Sequence, residues 1–118
     1  MTVSSRAHLI DTSNFLKLYI GGKWVKPSTF RVLDVVSPVT EEVLFQVAEA
    51  SIKDVDNAVA AAFEAFEKGP WPRMSVLQRA KILEKFAIEL RKRSEEFAIA
   101  WTESVSYTHL TLPTIYSV

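Results

Sequence analysis

Nucleophilic catalysis needs a nucleophile beside a base, and histidine is the usual base near neutral pH. The chain has two histidines, His8 and His109, and no cysteine. His8 falls in a polar, mixed N-terminal stretch and His109 in a segment of unusual composition, so no histidine-based dyad is expected. The absence of cysteine excludes a thiolate nucleophile, a disulfide and a cysteine metal site within these residues. The carboxylates are scattered. Asp54 and Asp56 point in different directions at helical spacing, and solvation at the surface is their expected state. Glu41-Glu42 and Glu95-Glu96 are neighbours in sequence, which do not face one another on a helix or a strand. A phosphate cradle needs several glycines near a helix start. Only Gly21, Gly22 and Gly69 are available, the first two at a hairpin turn and the third at a helix end. The residues thus assign no catalytic, cofactor-binding or metal site.

The elements that would position chemistry are nevertheless legible. Leu18-Tyr19-Ile20 and Lys23-Trp24-Val25 flank Gly21-Gly22, a hairpin signal, because tight hairpin turns demand positive φ. Phe30 to Val36 reads as a strand, Ser37-Pro38-Val39-Thr40 as a turn, and Glu42 to Val47 as a third strand. Ser51 is expected to cap a helix by accepting from the Asp54 amide. Val55, Ala58, Val59, Ala62, Phe63 and Phe66 form its apolar stripe, and Gly69-Pro70 end it, glycine as the C′ residue. Ser75 and Gln78 form a capping box for a second helix. That helix is expected to run from Val76 to about Glu103, with Leu83, Phe86, Ala87, Leu90, Phe97, Ala98 and Trp101 along one side and Ser94 interrupting. The two stripes are expected to face each other, a shared sheet, or both. Trp24 and Trp71 read as packing anchors. Arg73 and Arg79 read as partners of carboxylates or of helix-end carbonyls.

The 118 residues bound one domain or a piece of one, with 48% hydrophobic and 24% charged residues, an ordinary globular balance. Formal net charge is zero, which argues against a nucleic-acid partner. Arg91-Lys92-Arg93, followed by Glu95 and Glu96, reads as a solvated helix face. No apolar run approaches the roughly 20 residues of a membrane span, and Met1 to Asn14 lacks a signal-peptide core. Residues 1–14 are expected to be a loose tail and the setting cytoplasmic.

Residues 105–118 contain no Asp, Glu, Lys or Arg. Val105 to Thr114 can be back-translated as GTC TCT TAT ACA CAT CTG ACG CTG CCG ACG, which resembles the transposon mosaic-end adaptor of sequencing libraries. Residues 105–118 are therefore expected to be translated adaptor, and Ser106, Tyr107, Thr108 and His109 to carry no selected chemistry.

The order of segments resembles one family. Leu18 to Val25 is similar to the hairpin that opens aldehyde dehydrogenases, and Val36 to Val43 to their Asn-Pro-Ala-Thr-Gly-Glu-Val segment. Val47 to Ala62 resembles a Val-Ala-Glu-Ala-Ser block and the helix after it. Gly69-Pro70-Trp71-Pro72-Arg73-Met74-Ser75 and Gln78 to Leu83 are similar to the next two blocks. Two loop positions depart: Ser37 stands where the family usually has asparagine, and Glu41 where it has glycine. The resemblance implies an α/β fold and, for residues 15–104, the N-terminal part of the cofactor-binding domain. That part is a β-hairpin, a further short strand or two, then two α-helices, and it is an incomplete domain. It also implies a parent that oxidises an aldehyde to a carboxylic acid with NAD or NADP. In such a parent a cysteine thiolate forms a thiohemiacetal, hydride leaves to the nicotinamide, and a glutamate-activated water releases the acid. The parent is expected to be a homo-oligomer. The family's cysteine, glutamate, asparagine and nucleotide cradle match no position here, so this chain alone is expected to be inactive and to bind no cofactor. The competing reading is a small stand-alone α/β interaction module, which would cover its own apolar stripes.

Overall fold

A computed structural model describes residues 6–105. The first hairpin pairs β1 (Leu18–Ile20) with β2 (Lys23–Val25), antiparallel, with Tyr19 opposite Trp24. Gly21 and Gly22 turn it at φ 60° and 78°, the left-handed geometry that glycine adopts without steric cost. The Tyr19 and Trp24 rings meet edge to face at 5.1 Å.

A second ribbon pairs β3 (Val32–Val36) with β4 (Val43–Ala48). Its register is Val32 with Ala48 through Val35 with Phe45, and an irregularity follows between Val35 and Val36. The two ribbons do not join: among the described residues each is its own two-stranded sheet. Ser37 anchors the connecting turn. Its backbone N–H donates to the Glu42 carbonyl at 2.9 Å, and its hydroxyl accepts from the Val39 and Thr40 amides. An asparagine side chain could accept in the same way.

Glu41 sits at φ 60°, the sole positive-φ residue other than glycine among the described residues. A side chain in that region crowds its own backbone, at a cost of roughly 1–2 kcal/mol. Glu41→Gly is therefore expected to stabilise the chain by about 1 kcal/mol and to raise the melting midpoint by about 4–8 °C. An unchanged midpoint by differential scanning calorimetry would count against strain at this turn.

The helical half begins with α1 (Ile52–Lys68), whose N-terminus carries a reciprocal cap. Ser51 Oγ accepts from the Asp54 amide at 3.3 Å, and Asp54 Oδ2 accepts from the Ser51 amide at 2.9 Å. A 3₁₀ turn over Trp71–Arg73 leads to α2 (Val76–Lys92), capped in the same manner by Ser75 and Gln78.

The structure departs from the expected long second helix. The chain bends at Arg93, φ −105° and ψ 16°, and a separate α3 runs over Ser94–Val105. No proline or glycine causes the bend. The Arg93 guanidinium instead forks onto the Glu96 carboxylate at 2.8 and 2.9 Å and lies 5.4 Å from the Phe97 ring centre. These contacts tie the break to the first turn of the new helix. Among the described residues there are accordingly three α-helices and two hairpins.

Residues 6–14 also differ from a loose tail. Ala7–Leu9 form a 3₁₀ turn packed against α3. The Arg6 amide donates to the Glu103 carboxylate at 2.7 Å. Ile10 and Ile99 are buried there and are the only buried hydrophobic residues among those described. Phe15 then stacks edge to face on Phe45 of β4, 4.8 Å between centres, and its carbonyl accepts from the Ala48 amide. Residues 1–5 and the His109 segment lie outside the described residues.

The apolar stripes do not face each other. On α1, Ala58 and Ala61 are half-buried, and Ala61 lies against Gly21 of the first hairpin. Val55, Val59, Phe63 and Phe66 look outward, with Phe63 66% and Phe66 71% exposed. Phe86 on α2 is likewise exposed. The radius of gyration is 17.8 Å, against about 13 Å for a compact domain of 100 residues. Two separate ribbons and three helices have not enclosed a full core.

Candidate functional site

The densest polar cluster joins the β2–β3 connection to the start of α1. Asp54 is 4% exposed, which corrects the expectation of a solvated surface carboxylate. Its two oxygens accept from the Ser28 amide at 3.0 and 3.2 Å, from the Ser28 hydroxyl at 3.0 Å, and from the Ser51 amide and hydroxyl at 2.9 and 3.0 Å. The Ser28 and Ser51 hydroxyls are themselves 2.5 Å apart. Sequence alone revealed the Ser51 half of this arrangement. Ser28 lies 26 residues upstream, and no local pattern announces it.

The Ser51 backbone N–H is the main influence holding the Asp54 carboxyl below its ordinary value of 3.8. Burial pushes the other way, and the Ser28 donors add to the lowering. A buried carboxylate held by the amide and hydroxyl of both Ser28 and Ser51 is a structural anchor. Ionised near neutral pH, it has no proton to move there.

Asp56 is exposed. Among the described residues no group of three or more His, Asp or Glu side chains could hold a metal. His8 sits exposed in the first 3₁₀ turn. Arg73 behaves as a carbonyl cap: its two Nη atoms donate to the Gly69 and Glu67 carbonyls at 2.7 and 3.0 Å. Arg93 is the ionic partner of Glu96, whose carboxyl that hydrogen bond holds below its usual range.

Among the described residues no helix start carries the glycine-rich cradle of a dinucleotide. A pyrophosphate is held by free backbone N–H groups at a helix N-terminus. The start of α1 is occupied by the Asp54 carboxylate and that of α2 by the Gln78 and Ser75 side chains. The first turn of α3 carries Glu95 and Glu96, which would repel an anion.

One open concavity is apolar. Tyr19 and Trp24 of the first hairpin face Phe86, Leu90 and Phe97 across an open cleft of about 630 Å³, with Glu89 and Arg93 at its rim. Both charges are satisfied within the helices, Glu89 by Lys92 at 2.6 Å and Arg93 by Glu96. The cleft therefore offers mainly apolar contact area, and neither charge at its rim is unpaired.

Comparison with known proteins decides the family. Residues 24–110 match the model of the aldehyde dehydrogenase family. The chain belongs to that family. Its relatives include aldehyde dehydrogenase 1 of Tanacetum cinerariifolium, 48% identical over 84 residues, which are 71% of this chain and 17% of that protein. The malonate-semialdehyde dehydrogenase of Bacillus subtilis strain 168 is 43% identical over 83 residues, covering 70% of this chain and 17% of that enzyme. The Mycobacterium tuberculosis aldehyde dehydrogenase complexed with NAD+ superposes with a TM-score of 0.67 at 44% identity, over 70% of this chain and 17% of that one. A Pseudomonas syringae enzyme of the family, complexed with NAD+ and octanal, gives 0.74 at 38% identity, over 80% and 19%. The chain thus spans about a sixth of the length of the curated relatives it matches. The two-hairpin, three-helix arrangement is the corresponding N-terminal part of the family fold.

Proposed function

We propose that this chain is a segment of an enzyme that oxidises an aldehyde to a carboxylic acid, with NAD+ or NADP+ accepting the hydride, and that the segment alone is catalytically silent. The carrying observation is chemical: the family's reaction runs through a cysteine thiolate, and the 118 residues include no cysteine. The helix starts support the same reading for the cofactor, since each is crossed by its own capping side chain, that of α1 an anionic carboxylate that would repel a pyrophosphate. Relatives solved with NAD+ favour NAD+ over NADP+ as the parent's acceptor. A cytoplasmic homo-oligomer is the accompanying expectation for the parent. Among the described residues no helix is long and apolar enough to cross a membrane. The outward-facing stripes weigh against a stand-alone interaction module, which would cover them.

The purified chain, given octanal or benzaldehyde with NAD+ or NADP+, is expected to form no reduced nicotinamide above the protein-free blank. Titration calorimetry with NAD+ is expected to give dilution heat only. Turnover dependent on this chain would overturn the proposal.

A further inference from the structure

The local contacts at the α2–α3 bend do not by themselves fix its direction. Only Arg93 leaves helical geometry between the two helices. Its ion pair with Glu96 and its contact with the Phe97 ring join residues three and four apart, and an unbroken helix forms such pairs equally well. We propose that residues 6–15 are a tie between β4 and α3 that sets the direction of α3, and that α3 swings about Arg93 when the tie is cut.

Three observations carry it. The tie is fastened to α3. The Arg6 amide donates to the Glu103 carboxylate near the end of that helix at 2.7 Å, and the Ala7–Leu9 turn packs on it. The apolar burial falls at the same junction: Ile10 of the tie and Ile99 of α3 are each 8% exposed, the lowest among the described hydrophobic residues. The next residue reaches the hinge itself. The Asp11 carboxyl, held below its ordinary range mainly by hydrogen bonds from Ser13, is lowered further by the Arg93 charge. The other end of the tie is fixed to a different element. The Phe15 ring meets Phe45 of β4 at 4.8 Å, and the Phe15 carbonyl accepts from the Ala48 amide at 2.8 Å. A segment held at both ends passes the position of the second ribbon on to α3, and α2 lies outside that path.

The test uses spin-label distances, for which a chain without cysteine is suited. Lys23→Cys on β2 and Ser104→Cys in the last turn of α3 place one label pair at exposed positions. Lys23→Cys with Lys81→Cys, an exposed position on α2, is the control pair. Double electron–electron resonance is recorded on the full 118-residue chain with each pair. α3 has 12 residues, so a swing of about 20° carries its end through about 6 Å. Ile10→Asp and Phe15→Ala, which cut opposite ends of the tie, are each expected to shift or broaden the 23-to-104 distance by about that much and to leave the control pair unchanged. Ile10→Ala should give a smaller change in the same sense. Glu96→Gln, which cuts the local ion pair and spares the tie, should leave both distances as they are. An unmoved 23-to-104 distance in the Ile10→Asp and Phe15→Ala chains overturns the proposal. So does a shift caused by Glu96→Gln alone, which would make the bend a local matter. Movement of the control pair, or loss of the helical circular dichroism of the whole chain, would also overturn it, because residues 6–15 would then hold the entire segment rather than α3.

Discussion

Gly69→Ala is expected to destabilise the chain by about 1–3 kcal/mol, the range for forcing atoms into a packed site. Gly69 ends α1 in an extended conformation, φ −66° and ψ 165°, with its amide donating to the Ala65 carbonyl at 3.0 Å. The sequence expectation was a C′ glycine ending the helix, and steric room is the reason the structure gives for it. A Cβ built there would lie 2.1 Å from the Ala65 oxygen and 3.0 Å from its carbonyl carbon. Those are backbone atoms of a helical turn and cannot swing aside. Relief must come from moving Gly69, and that breaks the Arg73 clamp on the Gly69 and Glu67 carbonyls. Urea unfolding followed by helical circular dichroism reads the loss directly. A midpoint equal to that of the parent sequence would mean that the turn yields freely.

Asp54→Ala is expected to lower the melting midpoint at pH 7 by roughly 5–10 °C, as loss of a multiply bonded helix cap does in a domain of this size. The substitution strands the Ser28 and Ser51 amides and releases the β2–β3 connection from α1. Ser51→Ala removes the hydroxyl but leaves the two backbone donors to the carboxylate, so its effect should be smaller. The pH dependence has a definite sign. Hydrogen bonding holds the folded Asp54 carboxyl below the 3.8 of the free side chain. Its contribution is therefore complete above that value and is lost as pH falls through the lower folded value. The gap between parent and Asp54→Ala midpoints should be constant from pH 5 to 7 and should shrink on further acidification. A gap that widened in acid would rule out the carboxylate as the anchor.

The sequence was most informative where one short stretch settles its own geometry. Leu18 to Val25 carries its turn and both partners, and the hairpin bounds follow from the residues alone. Ser51-x-x-Asp54 and Ser75-x-x-Gln78 give both caps because each donor and acceptor lies within one helical turn. Arg73 as a carbonyl cap was readable for the same reason. What sequence could not supply was distance along the chain. Ser28 meets Asp54 across 26 residues, and Arg6 meets Glu103 across 97. The bend at Arg93 was also hidden, because Arg93, Glu96 and Phe97 suit a continuous helix as well as a broken one. Periodicity identified the α1 stripe, yet it could not say that Val59 and Phe63 would point away from the segment's own strands. Direction depends on what else is present to be packed against.

Most elements here close on themselves. Each hairpin joins strands adjacent in the chain, and each helix forms over fewer than 20 residues. Such elements form within microseconds, whereas a ribosome adds about 5–20 residues per second. In the longer relatives, a segment of this kind would finish its local folding while most of the polypeptide was still unmade. Its greasy surfaces would then wait tens of seconds for their cover during translation, and that interval is when chaperones have the most to shield.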